Sequence, residues 1–448
     1  MLTREEAKRV IDRAVAASKA DEVHVEIQGE ETTHLRFARN LPNTSGAFAD
    51  TSVSITSTFG KRSGTYIVNQ IDDASIDRAV GKSEEIARLA PEDPEFLAGI
   101  GPQAYADVAG GFREELSQGL REGGAGQLAE GVGVCLDAAR SRGLVTAGFA
   151  TASAEANAIG NSRGLFGYDR STSAHFSQTV RTSDAKGSGW AASTGRAIGD
   201  IDFLANSTIA IEKAVRSKDP KPLAPGKYVT ILEPSCVANL VTLFMNGMDA
   251  RAADEGRSFF ANPKGGNRLG EKLFPDGVAI WSDPEDAKAP ARPWGEDGVP
   301  QKRRPWIGKG SLENLVYSRF WAEKNGRQAV PRPTNVLMQG GSGTTEDLIK
   351  DTKRGVLITS FFYIRGVDPK TMLFTGLTRD GVFWIENGEI VHPVTNFRWN
   401  DSPVAVLKNI EAMAAPSLVA PRESTSNTVM VPALRVREFE LSSVSDAV

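Results

Sequence analysis

The stretch from Thr352 to Asn400, TKRGVLITSFFYIRGVDPKTMLFTGLTRDGVFWIENGEIVHPVTNFRWN, constrains the fold more than any other part of the chain. Val356, Leu357 and Ile358, followed by Phe361 and Phe362, form a short apolar run rich in β-branched and aromatic residues, which suits a buried strand better than a helix. Gly381 to Ile385 is again β-prone. Asn387-Gly388 is the dipeptide that a tight two-residue hairpin prefers, because both positions tolerate positive φ. Glu389 to Val394 returns as the partner strand, so GVFWIENGEIVHPV reads as a β-hairpin.

At 448 residues the chain exceeds what one hydrophobic core usually supports, so two or three domains are expected. The 44 glycines and only 7% aromatic residues point to many turns, hence many strands. A net charge of -4, with no basic cluster denser than Lys302 to Pro305, argues against nucleic acid as a partner, because a duplex binder needs a basic face to release counterions. Met1 to Ala20 is charged and amphipathic, and no apolar run reaches the roughly 18 residues of a membrane span. The expectation is a cytoplasmic protein. Cys135 and Cys236 lie far apart with no CxxC spacing, which agrees with a reducing compartment, excludes a cysteine zinc cluster and casts each as a small buried hydrophobe.

Taken in order, Thr3 with Glu5 and Glu6 starts a helix whose apolar face is Ala7, Val10, Ile11, Ala14 and Val15. Val23 to Ile27 and Leu35 to Phe37 alternate as two half-buried strands, and Ser52 to Ser57 and Thr65 to Gln70 flank a turn at Gly60 to Gly64. Ile76 to Leu89 is an amphipathic helix. Pro91 to Gly111 reads as a linker, which places a boundary near residue 100. Leu128 to Ala139 is helical, Leu144 to Ala192 gives successive strands, Phe203 to Val215 is helical, and the Pro-rich Lys218 to Gly226 marks a second boundary. Tyr228 to Leu232 is then a strand and Val237 to Arg251 a helix. Asn262 to Pro305 is an excursion longer than a structural loop needs to be, as if something docks on it. Thr344 with Asp347 is a helix start resembling a capping box, Met430 to Val436 closes the sheet, and Ser442 to Val448 frays. The fold class expected is α+β, with a smaller α/β-type N-terminal unit (1–100), a middle unit (101–220) and a strand-rich C-terminal domain (221–448).

The TKRG run, the hairpin at Glu386-Asn387-Gly388-Glu389-Ile390 and the closing MVPALRV occur in the order of the TldD/PmbA family, which the chain resembles. RFARN at Arg36 to Asn40, ANAIGNSRGL at Ala156 to Leu165 and GKYVTILEPS at Gly226 to Ser235 extend the resemblance over nearly the whole chain. In the metal-bearing branch, the helix after the GKY strand carries His-Glu-x-x-x-His, whose imidazoles hold zinc while the Glu activates water. Here the equivalent window, Thr242 to Gly247, offers no imidazole, carboxylate or thiol. That branch also draws a ligand from a C-terminal cysteine, and Arg422 to Thr428 holds none. The resemblance is therefore to the PmbA (TldE) branch, and it implies no catalytic, cofactor or metal residue in this chain, with zinc carried by the partner subunit.

Other chemistry-bearing patterns are thin. His24, His34, His175 and His392 are dispersed with no pair at ligand spacing. Asp249, Asp254 and Glu255 read as the polar end of a helix, not an oxygen-rich metal cluster. Ser183 and Lys186 fit Ser-x-x-Lys, which needs a buried lysine, and Gly340 to Gly343 lacks the lysine of a phosphate loop. The resemblance implies a non-catalytic subunit that pairs with a zinc-bearing TldD-like paralogue and shapes a chamber where extended, unfolded or small peptides are cleaved. A free-standing homodimer that binds peptides or regulates without proteolysis is the alternative, and an independent hydrolase with an unrecognised nucleophile a third.

Overall fold

The alternation at Val23 to Ile27 and that at Leu35 to Phe37 belong to one strand, β1 (Glu22–Ala38), not to two. In the computed structural model, which describes residues 1–448 except 123, 424–427 and 446–448, β1 pairs antiparallel with β2 (Leu41–Phe59) on one side. On the other side it pairs with β4 (Val145–Asn161). The middle of β1 has no apolar alternation to announce it. Neighbours on both sides satisfy its backbone instead, which local sequence does not report.

The first sheet has six strands in the order β3-β2-β1-β4-β5-β6, with β3 at Arg62–Val68, β5 at Phe166–Arg181 and β6 at Ser188–Gly195. Helices cover one face only. Helix α1 (Arg4–Ala17), opened by the Thr3/Glu6 capping box, and α2 (Asp73–Leu89) bury Val10, Ile11, Ile76 and Val80 against Val23, Val25 and Ile27. Further along, α3 (Glu114–Arg121) and α4 (Ala125–Ser141) cover Leu35, Phe37, Ala150 and Phe176, and α5 (Phe203–Arg216) covers Val180 and Ala191. The approach is close: a Cβ on Gly189 of β6 would stand 2.1 Å from the Ala210 carbonyl oxygen of α5.

Residues 91–108 carry no helix or strand, and the segments on either side of them meet in one sheet. Strands β1 and β4 lie on either side of these residues and hydrogen-bond along their length, so the 1–100 and 101–220 segments share one sheet.

Beyond residue 221 the chain builds two further sheets. A nine-stranded sheet is centred on β7 (Gly226–Leu232), parallel to Arg354–Ile358 and antiparallel to Leu434–Ser445. A six-stranded sheet joins Ile280–Ser282, Arg304–Gly308, Asn335–Met338 and Thr428–Val431 among others. Helix α6 (Pro234–Asn246) shares one large core with both sheets: Val237, Val241 and Phe244 lie in the same cluster as Ile280, Val336, Val356 and Phe439. Phe361, Trp399 and Phe439 pack together within it, Phe361 tilted 4.7 Å from Trp399 and stacked 5.6 Å from Phe439 between centroids. The Asn387-Gly388 hairpin forms as expected, with φ of 50° and 84° at its two central residues.

Four expectations in this region are corrected. The helix stops at Asn246, and a separate turn at Ala250–Asp254 starts where Asp249 accepts a bond from the Ala252 amide at 2.7 Å. Residues 262–305 are not a bare excursion: they supply strands to the six-stranded sheet and dock on the N-terminal part of the same chain, Tyr105 packing 5.1 Å from Trp294 and donating to the Gly298 carbonyl at 2.6 Å. The closing run Met430 to Val436 is split, Thr428–Val431 entering the six-stranded sheet and Leu434–Ser445 the nine-stranded one. Pro432, which cannot donate, lies at the switch. Finally, Ser442 to Ser445 of the expected tail are strand, with Ser443 paired to Arg398, while 446–448 lie outside the described residues.

Candidate functional site

The face of the first sheet that carries no helix is polar, and strand register sets its side chains in rows. Gln28, Asn157 and Asp169 form one row across β1, β4 and β5; Glu30, Glu155 and Ser171 form the next. Thr32, Ser153 and Ser173 follow, with Thr32 and Ser153 hydroxyls 2.6 Å apart, then His34, Thr151 and His175. The alternation that drives Val25, Ile27, Ala156 and Ala158 into the helix layer turns these polar residues the other way. Sequence spacing scattered the histidines. Pairing puts His24, His34 and His175 on one face, the last two roughly 10 Å apart across two interstrand spacings.

Part of this face is roofed by the C-terminal region. Pro290, Arg292, Thr334 and residues 418–421 stand over it and enclose a cleft of about 640 Å³. Trp294 anchors the roof against Ile159 and Leu165. Arg196, just after β6, ties floor to roof, donating to the Thr172 carbonyl and the Thr428 hydroxyl at 3.3 Å each, and to the Pro290 carbonyl.

Burial governs the charges in the cleft. It pushes the Asp169 carboxyl up to about 6, against the lowering influence of Arg292, the Arg170 amide and Arg196. It raises the Glu155 carboxyl too, and Glu30, directly opposite on β1, adds to the rise. The same loss of water lowers Arg196 and His175. Perturbed groups of both signs converging in one cleft are what binding sites provide. None of these residues except His175 carried a signal in the sequence, because each becomes meaningful only through neighbours on other strands and in the roof that pairing and docking bring beside it.

Residues 225–443 match the PmbA/TldA metallopeptidase C-terminal domain and residues 130–221 the PmbA/TldA metallopeptidase central domain. The chain belongs to the PmbA/TldD family. A metalloprotease of Methanothermobacter thermautotrophicus is 26% identical over 233 residues, 48% of each protein, and Metalloprotease PmbA of Escherichia coli O157:H7 is 27% identical over 179 residues, 39% of each. The chain thus spans about half the length of these relatives, or less. Crystal structures share the fold: TldE from Thermococcus kodakarensis has a TM-score of 0.86 at 16% identity, covering 98% of this chain and 100% of that one. A Thermotoga maritima protein described as a modulator of a DNA gyrase has a TM-score of 0.80 at 20% identity, with the same coverage.

The matched domains are those of a metallopeptidase family, and the donor set in this chain decides whether it fits a metal. On α6, which carries the window that the resemblance compares with His-Glu-x-x-x-His, Ser235, Asn239 and Thr242 are buried with no hydrogen-bond partner for their side chains. Cys236, on the same helix, is a fully buried thiol that burial keeps protonated and that donates to the Ile358 carbonyl, so it adds no thiolate; these hydroxyl and amide groups, with no imidazole or carboxylate on the helix, do not fit zinc. Among the described residues, no three His, Cys, Asp or Glu converge as a ligand group. Residues 424–427, within the stretch compared with that branch's cysteine, lie outside the described residues.

The remaining candidates have structural partners. Asp254 accepts from Asn267 at 2.6 Å and from the Trp321 indole at 2.7 Å, and Glu255 pairs with Arg251 and Arg257. Ser183 and Lys186 lie on an exposed turn, so the lysine has no burial to make it a base. Gly341 donates to the Ala414 carbonyl at 2.8 Å and leads into the helix Thr345–Lys350, capped by Thr344 with Asp347. His392 sits on the hairpin, with Nδ1 3.1 Å from the Pro393 carbonyl. Cys135 and Cys236 are both fully buried, and burial pushes the Cys135 thiol up to about 12.

Proposed function

We infer that this PmbA/TldD chain is a non-catalytic subunit of a peptide-processing metallopeptidase assembly of the cytoplasm, pairing with a zinc-bearing TldD-like paralogue. What supports the reading above all is α6. The window Thr242 to Gly247, which the resemblance sets against His-Glu-x-x-x-His, offers no imidazole, carboxylate or thiol, while the family match extends across the helix and its flanking strands. A chain that keeps the framework but cannot activate water acts through another subunit. The zinc belongs to that partner. The polar face and roofed cleft then serve as wall and guide for extended or unfolded peptide, which main-chain pairing along an open strand edge holds without sequence preference. No helix among the described residues is long and apolar enough to cross a membrane.

The test is to co-express this chain, tagged, with a paralogue carrying His-Glu-x-x-x-His, and to assay an unfolded peptide with and without chelator. Chelator-sensitive cleavage by the co-purified pair, and none by this chain alone, is the expected outcome. The contact should bury more than roughly 1,000 Å². Robust cleavage by this chain alone, or failure to co-purify, overturns the reading, and a stable homodimer that captures peptide uncleaved favours the free-standing alternative.

A further inference from the structure

The roofed cleft holds charges of both signs that the fold leaves without ionic partners among the described residues. Asp169 and Glu155 act electrostatically on Arg196 and Arg292, yet no ion pair within 4.0 Å joins either carboxylate to either guanidinium. Arg292 reaches over the sheet from the roof and spends only its Nε, donated to the Trp294 carbonyl at 3.3 Å; its two terminal nitrogens make no hydrogen bond among the described residues. The guanidinium of Arg196 is satisfied by two carbonyls and a hydroxyl, none of which cancels its charge. Asp169, Glu155 and Arg196 are partly withdrawn from water while Arg292 stands exposed at the mouth, and a cleft that leaves an acid pair and a base pair without ionic partners is complementary to a molecule bearing both signs.

We propose that this cleft is a binding site for a small zwitterion with a free α-ammonium and a free carboxylate, the ammonium against Asp169 and Glu155 and the carboxylate against the fork of Arg292 with Arg196 behind it. Arg292 presents the planar, two-pronged donor that a carboxylate matches. The volume of about 640 Å³ takes a short peptide or a single amino acid. The site is built wholly from this chain. It goes beyond the subunit reading and does not depend on any paralogue.

The experiment is calorimetric titration of the full chain alone, at pH 7.5, with alanine, Ala-Ala and Ala-Ala-Ala, and with N-acetylated and C-amidated Ala-Ala. At least one free zwitterion binds one to one with a dissociation constant of about 1 mM or tighter, and the best length reports the spacing of the two poles. Blocking either end of Ala-Ala weakens binding about tenfold, the worth of one charge-assisted hydrogen bond. Asp169→Asn should reproduce the effect of the acetyl block and lose nothing further when the blocked ligand is used; Arg292→Gln should do the same for the amide. Asp169→Asn removes a half-buried charge that burial disfavours and Arg292 is exposed, so both variants should fold, which circular dichroism checks. No binding by any free zwitterion up to about 10 mM, loss on blocking one end only, or unchanged affinity in either variant overturns the proposal.

Discussion

Asp169→Asn should stabilise this protein at neutral pH, and the gain should vanish in acid. In the native cleft Asp169 is half-buried on β5, faced by Glu155 from β4, Arg196 from the end of β6 and Arg292 from the roof, with the Arg170 amide beside it. Burial outweighs those helpers and moves its carboxyl from 3.8 to about 6. Between these values the native state holds more protons than the unfolded state, so stability falls as pH rises through that window, and the full penalty stands above it. At about 1.36 kcal/mol per pH unit the gap corresponds to roughly 3 kcal/mol, which water in the open cleft reduces to roughly 1–3 kcal/mol. The amide side chain of the variant has no such proton to lose. Urea midpoints of wild type and variant, measured from pH 4 to pH 8, should coincide near pH 4 and separate through pH 6 to a plateau with the variant more stable. Taking the difference cancels the titrating groups that do not interact with Asp169, leaving its own titration and its coupling to Glu155. A pH-independent difference, or a variant less stable at pH 7.5, refutes the argument that burial dominates at Asp169.

Three further outcomes follow from single contacts. Thr242→Val removes a buried hydroxyl with no partner from α6 and should raise the urea midpoint by the equivalent of about 1 kcal/mol; a drop would mean that the hydroxyl is satisfied in solution. Gly388→Ala should cost at least about 2 kcal/mol, because φ is 84° and the new Cβ would stand 2.5 Å from the Lys350 carbonyl oxygen, whereas Asn387→Gly should leave thermal unfolding nearly unchanged. Lys213, which bonds Glu233 at 2.6 Å and ties α5 to the start of α6, should cost about 2 kcal/mol or more as Lys213→Met. Adding Glu233→Gln should recover part of that loss, and equal loss in the double variant would show that the ion pair is not the source.

Much of the architecture was legible because it is written locally. The hairpin at Asn387-Gly388, the capped starts at Thr3 and Thr344, the amphipathic helices α1, α2 and α5, and the strand at Gly226–Leu232 each rest on residues within a few positions of one another. The same locality produced the errors. Residues 29–33 carry no strand periodicity and are strand because β2 and β4 flank them. Pro432 looked like part of one closing strand and lies where the chain passes from one sheet to the other. Residues 262–305 looked like an excursion on which something docks, and their partners, Tyr105, Ile159 and Leu165 among them, come from more than a hundred residues earlier in the same chain.

The sequence by itself determined the α+β class, the family and the absence of ligand residue types from the window Thr242 to Gly247. The tertiary structure alone decided that the first two segments share one sheet, that three dispersed histidines look out from one face, and that Asp169, Glu155, Arg196 and Arg292 meet in one cleft. A strand's alternation says which residues share a side but not what lies beside them or above them. Register and the closing of the C-terminal region over the sheet supply that information, and both depend on contacts across hundreds of residues that no local pattern records.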